Sequence, residues 1–338
     1  MEFIAMLHHR KHPSRVKKTY PFAAVAKTEG VEFYYFSYRN VDFETKKING
    51  WIYENGKWIQ KRMEFPKVII NAGGPKTEKQ KAILKQLKKI AVFTSHSVGN
   101  KMKVYKKIYK GKKFTDFLIP SIQLKTGQEL VNFLEVNRKA VIKPFSGNHG
   151  KKIFFIEKKH TKYQLIAGTQ TMFSEKMELV TFVEQLLNEQ NYIVQPFIEC
   201  KTKAGLTYDF RLHIQKNGVG KWEVTLIYPR ISGSAKLISN VSSGGYRGEL
   251  GPFLKEEFGD NDQQVKRMLE DFVLSFATHF DTLYPYPFDE LGIDVGLDSN
   301  QKIWIFEVNW RPGSKHREFE VAKRLIPYCK YLERKEYV

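Results

Sequence analysis

Two carboxylates and a carboxamide recur at short spacing near the C-terminus of this chain, in ELGIDVGLDSNQKIWIFEVNWRPG: Asp294, Glu307 and Asn309. Two alternating runs, about 291–297 and 303–309, flank the polar turn Ser299–Lys302 and predict a β-hairpin. A turn centred on Asn300–Gln301 sets Asp294 opposite Glu307 and Gly292 opposite Asn309. Residues two apart in a strand share a face, so the three oxygen-bearing side chains converge. The other face carries Ile293, Val295 and Leu297 against Trp304, Phe306 and Val308, all apolar. Cross-strand Cβ atoms sit about 4.5–5.5 Å apart, and like charges placed there destabilise the pair. A cation removes that conflict, and hard oxygen donors suit Mg²⁺ that keeps some waters and takes phosphate oxygens. Gly292 and Gly296 would leave room for a ligand. The competing reading is the solvent-facing side of an ordinary hairpin, and a slip of one residue would undo the pairing.

A phosphate-binding side has weaker signals. Lys143 closes the run AVIKP and is followed by the loop SGNHGKK. A glycine loop between two strands can donate backbone N–H groups to phosphates, and it can equally be a plain hairpin turn. It is not a Walker A loop: two residues separate Gly147 from Gly150, and no hydroxyl follows Lys151. The kinase signatures H-R-D and D-F-G are absent. In DFRLHIQ, Asp209 and Arg211 share one face, so Arg211 either binds a phosphate or carboxylate bidentately or pairs with Asp209 or Glu307. No Ser/His/Asp or Cys/His arrangement suggests a protein nucleophile.

The elements that must position these groups read as a mixed α+β chain. Residues 1–65 read as a β-rich module of short aromatic strands, with a hairpin turn at ENGK. Residues 66–100 read as a small α/β unit, in which the strand PKVIINAGGP is followed by a helix over 76–90. Further helices are predicted at about 101–110, 126–138, 175–190 and 262–281 and at the C-terminal end, with strands at KAVIKPF, IFFI and YIVQPFIE. These place domain units at 101–200 and 201–338. Hairpins mixed with helices argue for α+β rather than a regular parallel series.

The net charge of +20 over 338 residues implies attraction to polyanions. The lysines are spread along the whole chain, and no zinc finger or aromatic RNA-binding strand accompanies them, which argues against a nucleic-acid partner. The first reading is a solvated basic surface, and the second is a nucleic-acid or acidic-polymer partner. Two distant cysteines, Cys200 and Cys329, form no zinc spacing or disulfide framework and fit a reducing cytoplasm. The N-terminal residues lack the order of a signal peptide, and no apolar run reaches membrane-spanning length.

Taken in order over about 95–315, these pieces resemble the ATP-grasp superfamily. The resemblance implies a fold in which two α+β subdomains grip ATP, here following the 1–65 module and the 66–100 unit. It implies that Lys101 and Lys143 hold the α/β phosphates, under a loop of Ser146, Gly147, Asn148, Gly150 and Lys151. Gln195, Pro196, Phe197 and Ile198 would line the adenine slot, with Glu199 toward the ribose. Asp294, Glu307 and Asn309 match the metal triad, and Arg211 an arginine on the γ-phosphate. The implied activity is an Mg²⁺–ATP-dependent carboxylate–amine ligase working through an acyl phosphate. Arg230, Asn240, Arg247 and Arg311 would then meet an anionic substrate, a small acid or an acidic polymer. A small-molecule kinase, or a non-catalytic ATP- or polyanion-binding structural protein, would share the same scaffold. The wording of DFRLHIQKNGVGKWEVT, SNVSSGG, LGIDVGLD and FEVNWRPG looks most like the YheC/YheD group of Bacillus-type bacteria, which implies an association with spore coats.

Overall fold

The computed structural model describes residues 3–145, 152–168, 170–232 and 245–335. Its first sheet grows around FIAMLH, strand β1 (Phe3–His8), an apolar run buried on both faces, as parallel strands require. Strands β2 (Glu32–Ser37) and β6 (Val68–Asn71) pair with it in parallel, and β7 (Val92–Phe93) extends the sheet beyond β6. Strands β3 (Val41–Asp42), β4 (Lys47–Glu54) and β5 (Lys57–Glu64) add an antiparallel wing, with β4 and β5 joined at the predicted turn by Asn55 and Gly56. Helix α1 (Thr19–Thr28) and the C-terminal helix α8 (Glu318–Lys335) cover one face, and α2 (Glu78–Leu87) packs beyond the other.

Three expectations change here. The boundary at 65/66 falls inside one continuous sheet, because β6 hydrogen-bonds to β1, the first strand of the chain. The expected β-rich module contains α1, whose Pro21 sits in the first turn, where no intrahelical donor is lost. The C-terminal helix is not confined to the unit at 201–338: it buries Val321, Leu325 and Ile326 in the core of the first sheet, while its Val321 carbonyl accepts from Gln215 and its Arg324 donates to the Val224 carbonyl.

The second sheet is antiparallel and runs β12-β11-β10-β9-β13-β8. Its strands are β8 (Ile122–Gln123), β9 (Lys139–Pro144), β10 (Phe154–Lys159), β11 (Lys162–Ala167), β12 (Gln170–Ser174) and β13 (Tyr192–Pro196). Helices α4 (Gly127–Asn137) and α5 (Lys176–Glu189) cover one face over Ala140, Ile142, Ile156, Leu165 and Val194. The alternate residues of β9 and β13, among them Lys143 and Gln195, therefore face the other way.

The third sheet runs β16-β15-β14-β17-β18. It comprises β14 (Tyr208–Lys216), β15 (Trp222–Ile231), β16 (Tyr246–Arg247), β17 (Glu290–Leu297) and β18 (Ile303–Asn309). Phe210, Leu212, Ile214, Ile293 and Val295 point into a core made with α3 (Lys101–Gly111), α6 (Leu250–Phe258) and α7 (Asp262–Thr282). The opposite face is polar, and it carries most of the residues that drew attention in the sequence.

Candidate active site

The hairpin β17–β18 places Gly292 opposite Asn309, Ile293 opposite Val308 and Asp294 opposite Glu307, as the spacing predicts. Beyond Asp294 the register slips by one residue, so Val295 pairs with Ile305 and Phe306 becomes the extra residue of a bulge. The expected apolar face is corrected accordingly: Ile303, Ile305 and Val308 are buried, while Trp304 and Phe306 are only half-buried. A bulge reverses the in–out alternation. Here it keeps Ile303 and Ile305 in the core while Glu307 and Asn309 stay on the polar face.

The expected free space beside the glycines is filled by protein. A Cβ on Gly292 would lie 2.5 Å from Pro312 Cβ and 3.3 Å from Arg211 Cδ, and one on Gly296 would meet Phe306 and Cys200. These glycines admit neighbouring side chains, and Gly292 gives the stem of Arg211 its track.

Arg211 on β14 lies opposite Asp294 and bonds it from both Nε and Nη2, the latter at 3.1 Å. Neither Asp209 nor Glu307, the two partners suggested by spacing, is its partner. Arg230 on β15 donates to Asp209 from Nε at 2.6 Å and Nη2 at 2.7 Å, and the same Nη2 lies 3.0 Å from Asp294 Oδ2. Burial alone would raise the Asp294 pKa, but the two guanidiniums hold it below the ordinary carboxylate value.

Lys101 opens α3, whose first turn is capped by the Asn100 side chain bonding the Lys103 amide. Its Nζ lies 3.6 Å from Glu307 Oε1. Lys143 is 7% exposed. Burial foremost, and then the neighbouring Lys101 charge, lower its pKa to about 7 against the opposing pull of Glu307. Residues far apart in the chain, Lys101, Lys143, Arg211, Asp294 and Glu307, thus share one electrostatic neighbourhood.

The strand predicted to carry an adenine slot is β13. Gln195 is buried, its amide donating to Ser121 Oγ at 2.5 Å and to the Tyr105 hydroxyl at 3.4 Å. Tyr105 in turn donates to the Ile305 carbonyl, tying the second sheet to the third through α3. Neither Ser121 nor Tyr105 carries a motif that sequence reading could have used. Pro196, Phe197 and Ile198 are half-buried, and Phe197 meets Phe155 edge to face at 5.6 Å. A cleft of ≈ 120 Å³ opens there between Lys139, Phe155, Ile166, Phe197, Glu199 and Lys201. Glu199 pairs with Lys201 at 2.9 Å and Lys139 at 3.6 Å, and its bond to Lys201 keeps its pKa low.

The expected substrate residues do not form one set. Arg230 is committed to two aspartates and is a structural member of the site. Arg247 stacks over Tyr228 at 3.7 Å. Arg311 stacks on Trp310 at 3.8 Å and reaches toward the first sheet, donating to the Asn71 carbonyl at 3.4 Å. Asn240 and the loop residues Ser146, Gly147, Asn148, Gly150 and Lys151 lie outside the described residues.

Among the described residues, no three Asp, Glu, His or Cys side chains gather at one point. The candidate donors at the hairpin are the carboxylates of Asp294 and Glu307 and the amide oxygen of Asn309, with Asp294 held by Arg211 and Arg230 and Glu307 about one-third exposed. That donor set fits an Mg²⁺ that arrives with a nucleotide and retains waters, rather than an ion held in a full protein cage.

Comparison with solved structures matches the fold over nearly the whole chain. D-alanyl-alanine synthetase A from Vibrio cholerae is 9% identical with a TM-score of 0.60, covering 99% of both chains. The ATP-grasp ligase PsnB, solved with a phosphomimetic variant of a minimal precursor, Mg and ADP, is 9% identical with a TM-score of 0.55, covering 98% of both. The fold is that of the ATP-grasp ligases. The chain belongs to the YheC/D-like ATP-grasp family, whose profile matches residues 89–332. Two endospore coat-associated proteins of Bacillus subtilis (strain 168) are similar to it in sequence. YheD is 25% identical over 325 residues, 89% of this chain and 70% of YheD. YheC is 24% identical over 303 residues, 85% of this chain and 82% of YheC. No helix among the described residues is long and apolar enough to cross a membrane.

Proposed function

We propose that this chain is an Mg²⁺–ATP-dependent ligase of the carboxylate–amine type, acting on an anionic substrate in association with the spore coat. The observation that carries the reading is the convergence of Lys101, Lys143 and Arg211 with Asp294 and Glu307, from α3, β9, β14 and β17–β18. Asp294, Glu307 and Asn309 would hold the metal, which supplies charge neutralisation for phosphate oxygens when bound. Lys101 and Lys143 would bind the α/β phosphates, and the slot at Gln195–Ile198 the adenine, with Glu199 near the ribose and the loop 146–151 over the phosphates.

Arg211 would stabilise the transferring phosphoryl group. A carboxylate oxygen of the substrate attacks the γ-phosphorus, the bond to ADP breaks, and an amine then displaces phosphate from the acyl carbon. No protein nucleophile is needed. Arg247 and Arg311, on either side of the polar face, support an anionic substrate. The metal and nucleotide roles are supported by the ADP and Mg in the PsnB structure, and the coat association by the names of YheD and YheC.

Calorimetric titration with Mg²⁺–ATP should give saturable binding, and its absence would sink the reading. Phosphate release should require both an acid and an amine; release with the acid alone would indicate a kinase instead. Glu307→Gln should abolish turnover with an unchanged circular-dichroism spectrum and melting curve, whereas wild-type turnover would remove Glu307 from the metal site.

A further inference from the structure

We propose that Arg211 is an exchangeable partner of Asp294, displaced when a metal–nucleotide complex binds, while Asp209 and Arg230 form a fixed strut beneath it. This rests on the Mg²⁺–nucleotide reading above. Asp209, Asp294, Arg211 and Arg230 make a quartet of two negative and two positive charges, with side-chain exposures of 6–11%. Such a set is balanced as it stands. A dication at Asp294 would face two guanidiniums across a medium that screens poorly, so one of them has to withdraw.

The two arginines are not equally free to do so. Arg230 makes two charged bonds to Asp209, at 2.6 and 2.7 Å, besides its contact with Asp294. Its departure would leave Asp209 as a buried carboxylate stripped of that pairing, the costly way to break a buried pair. Arg211 hydrogen-bonds Asp294 alone among the described residues. Its departure leaves Asp294 compensated by the incoming cation and by Arg230. Its stem lies along Gly292, where no side chain of β17 blocks its movement. A triphosphate entering with the metal supplies the negative charge that Arg211 gives up.

Two consequences follow from this asymmetry. Metal alone competes with Arg211 and binds weakly, and nucleotide and metal favour each other's binding reciprocally. Arg230 acts through Asp294 and is a positioning residue.

Mn²⁺ is the probe, followed by electron paramagnetic resonance, alone and with a non-hydrolysable ATP analogue. Arg211→Gln should bind Mn²⁺ alone about tenfold more tightly than wild type, and the analogue should narrow that gap to about threefold or less. Equal or weaker binding of Mn²⁺ alone by Arg211→Gln, in a protein whose wild type binds the Mn²⁺–analogue complex, would overturn the exchange and leave the nucleotide reading standing. Failure of wild type to bind that complex would overturn both. Wild-type arginine Nε–H resonances test the same point without any substitution that could disturb folding. On adding Mg²⁺ and the analogue, the Arg211 signal should move and the Arg230 signal should stay; a stationary Arg211 signal, or a displaced Arg230 signal, refutes the proposal.

Discussion

Lys143 should make nucleotide binding depend on pH in a direction set by its surroundings. Its side chain is buried, and burial together with Lys101 brings its pKa from 10.5 to about 7. Near neutrality the unliganded protein therefore holds this ammonium about half protonated. A phosphate beside it favours the charged form and returns the pKa toward its ordinary value. Binding should then take up about 0.1 proton at pH 6, about 0.5 at pH 7 and about 0.9 at pH 8.

The sign is that of a base whose pKa is lower in the free protein than in the complex. Affinity is flat below pH 7 and falls about tenfold per pH unit above it, until the pKa of the complex is reached. The same lysine affects folding. An unfolded chain keeps the proton up to 10.5, so stability rises with pH from about 7 to 10.5, and the deficit below pH 7 is at most ~5 kcal/mol. A bound phosphate recovers part of it. Calorimetric titration of the Mg²⁺-bound ATP analogue, in buffers of different ionisation heat at pH 6, 7 and 8, measures the uptake directly. Lys143→Met should bind more weakly and lose the uptake. A wild type that takes up no proton at pH 8, or a methionine variant that retains wild-type uptake, would refute the reasoning.

Asp289 is buried, accepts bonds from the Ser95 amide at 2.6 Å and hydroxyl at 3.1 Å, and has its pKa raised by burial from 3.8 to about 7. The folded protein holds this proton more tightly than the unfolded chain, so stability should fall as pH rises from about 4 to about 7; in Asp289→Asn that part of the thermal-unfolding pH profile should flatten, and an identical profile would contradict it. Gly127 sits where a Cβ would approach the Val180 carbonyl oxygen at 2.6 Å and Cα at 2.9 Å, backbone atoms of α5 that cannot swing aside. Gly127→Ala should therefore cost about 1–3 kcal/mol in denaturant unfolding of the second-sheet unit, and a neutral effect would show that α4 and α5 separate easily.

Much of the site was legible because it depends on local periodicity. The pairing of Asp294 with Glu307 follows from a hairpin whose loop is short and polar, and β18 alternates cleanly from Phe306 to Asn309. The bulge escaped because Trp304, Phe306 and Ile305 are all apolar, so a reversal of faces leaves no trace in the pattern. The partners of Arg230 were hidden for another reason: an arginine near a substrate face and one tying two aspartates look alike in sequence. The distinction lies in the pairing of β14 with β15, which sets Asp209 opposite Arg230. The first unit was cut in two because β6 returns to pair with β1 across some sixty residues of intervening chain, a parallel contact with no local signature. Likewise, the apolar face of the C-terminal helix does not say which sheet it will cover.

The bulk charge of +20 is a poor guide to the site, since each of its carboxylates already has a basic partner. Asp209 has Arg230, Asp294 has Arg211 and Arg230, and Glu307 has Lys101. These three acids thus face four bases, Arg211, Arg230, Lys101 and Lys143, and of these four Lys143 has no ion-pair partner among the described residues. A buried group in that position relieves its excess charge by giving up its proton, which is the direction of its pKa. A polyanion entering the site would pair with Lys143, restore its proton and release Arg211 from Asp294. Local pairing, and not surface charge, is what would make this sheet face receptive to a metal-bound triphosphate. A surface lysine such as Lys110, at the far end of α3, should then be replaceable by Gln with no change in nucleotide affinity at physiological ionic strength.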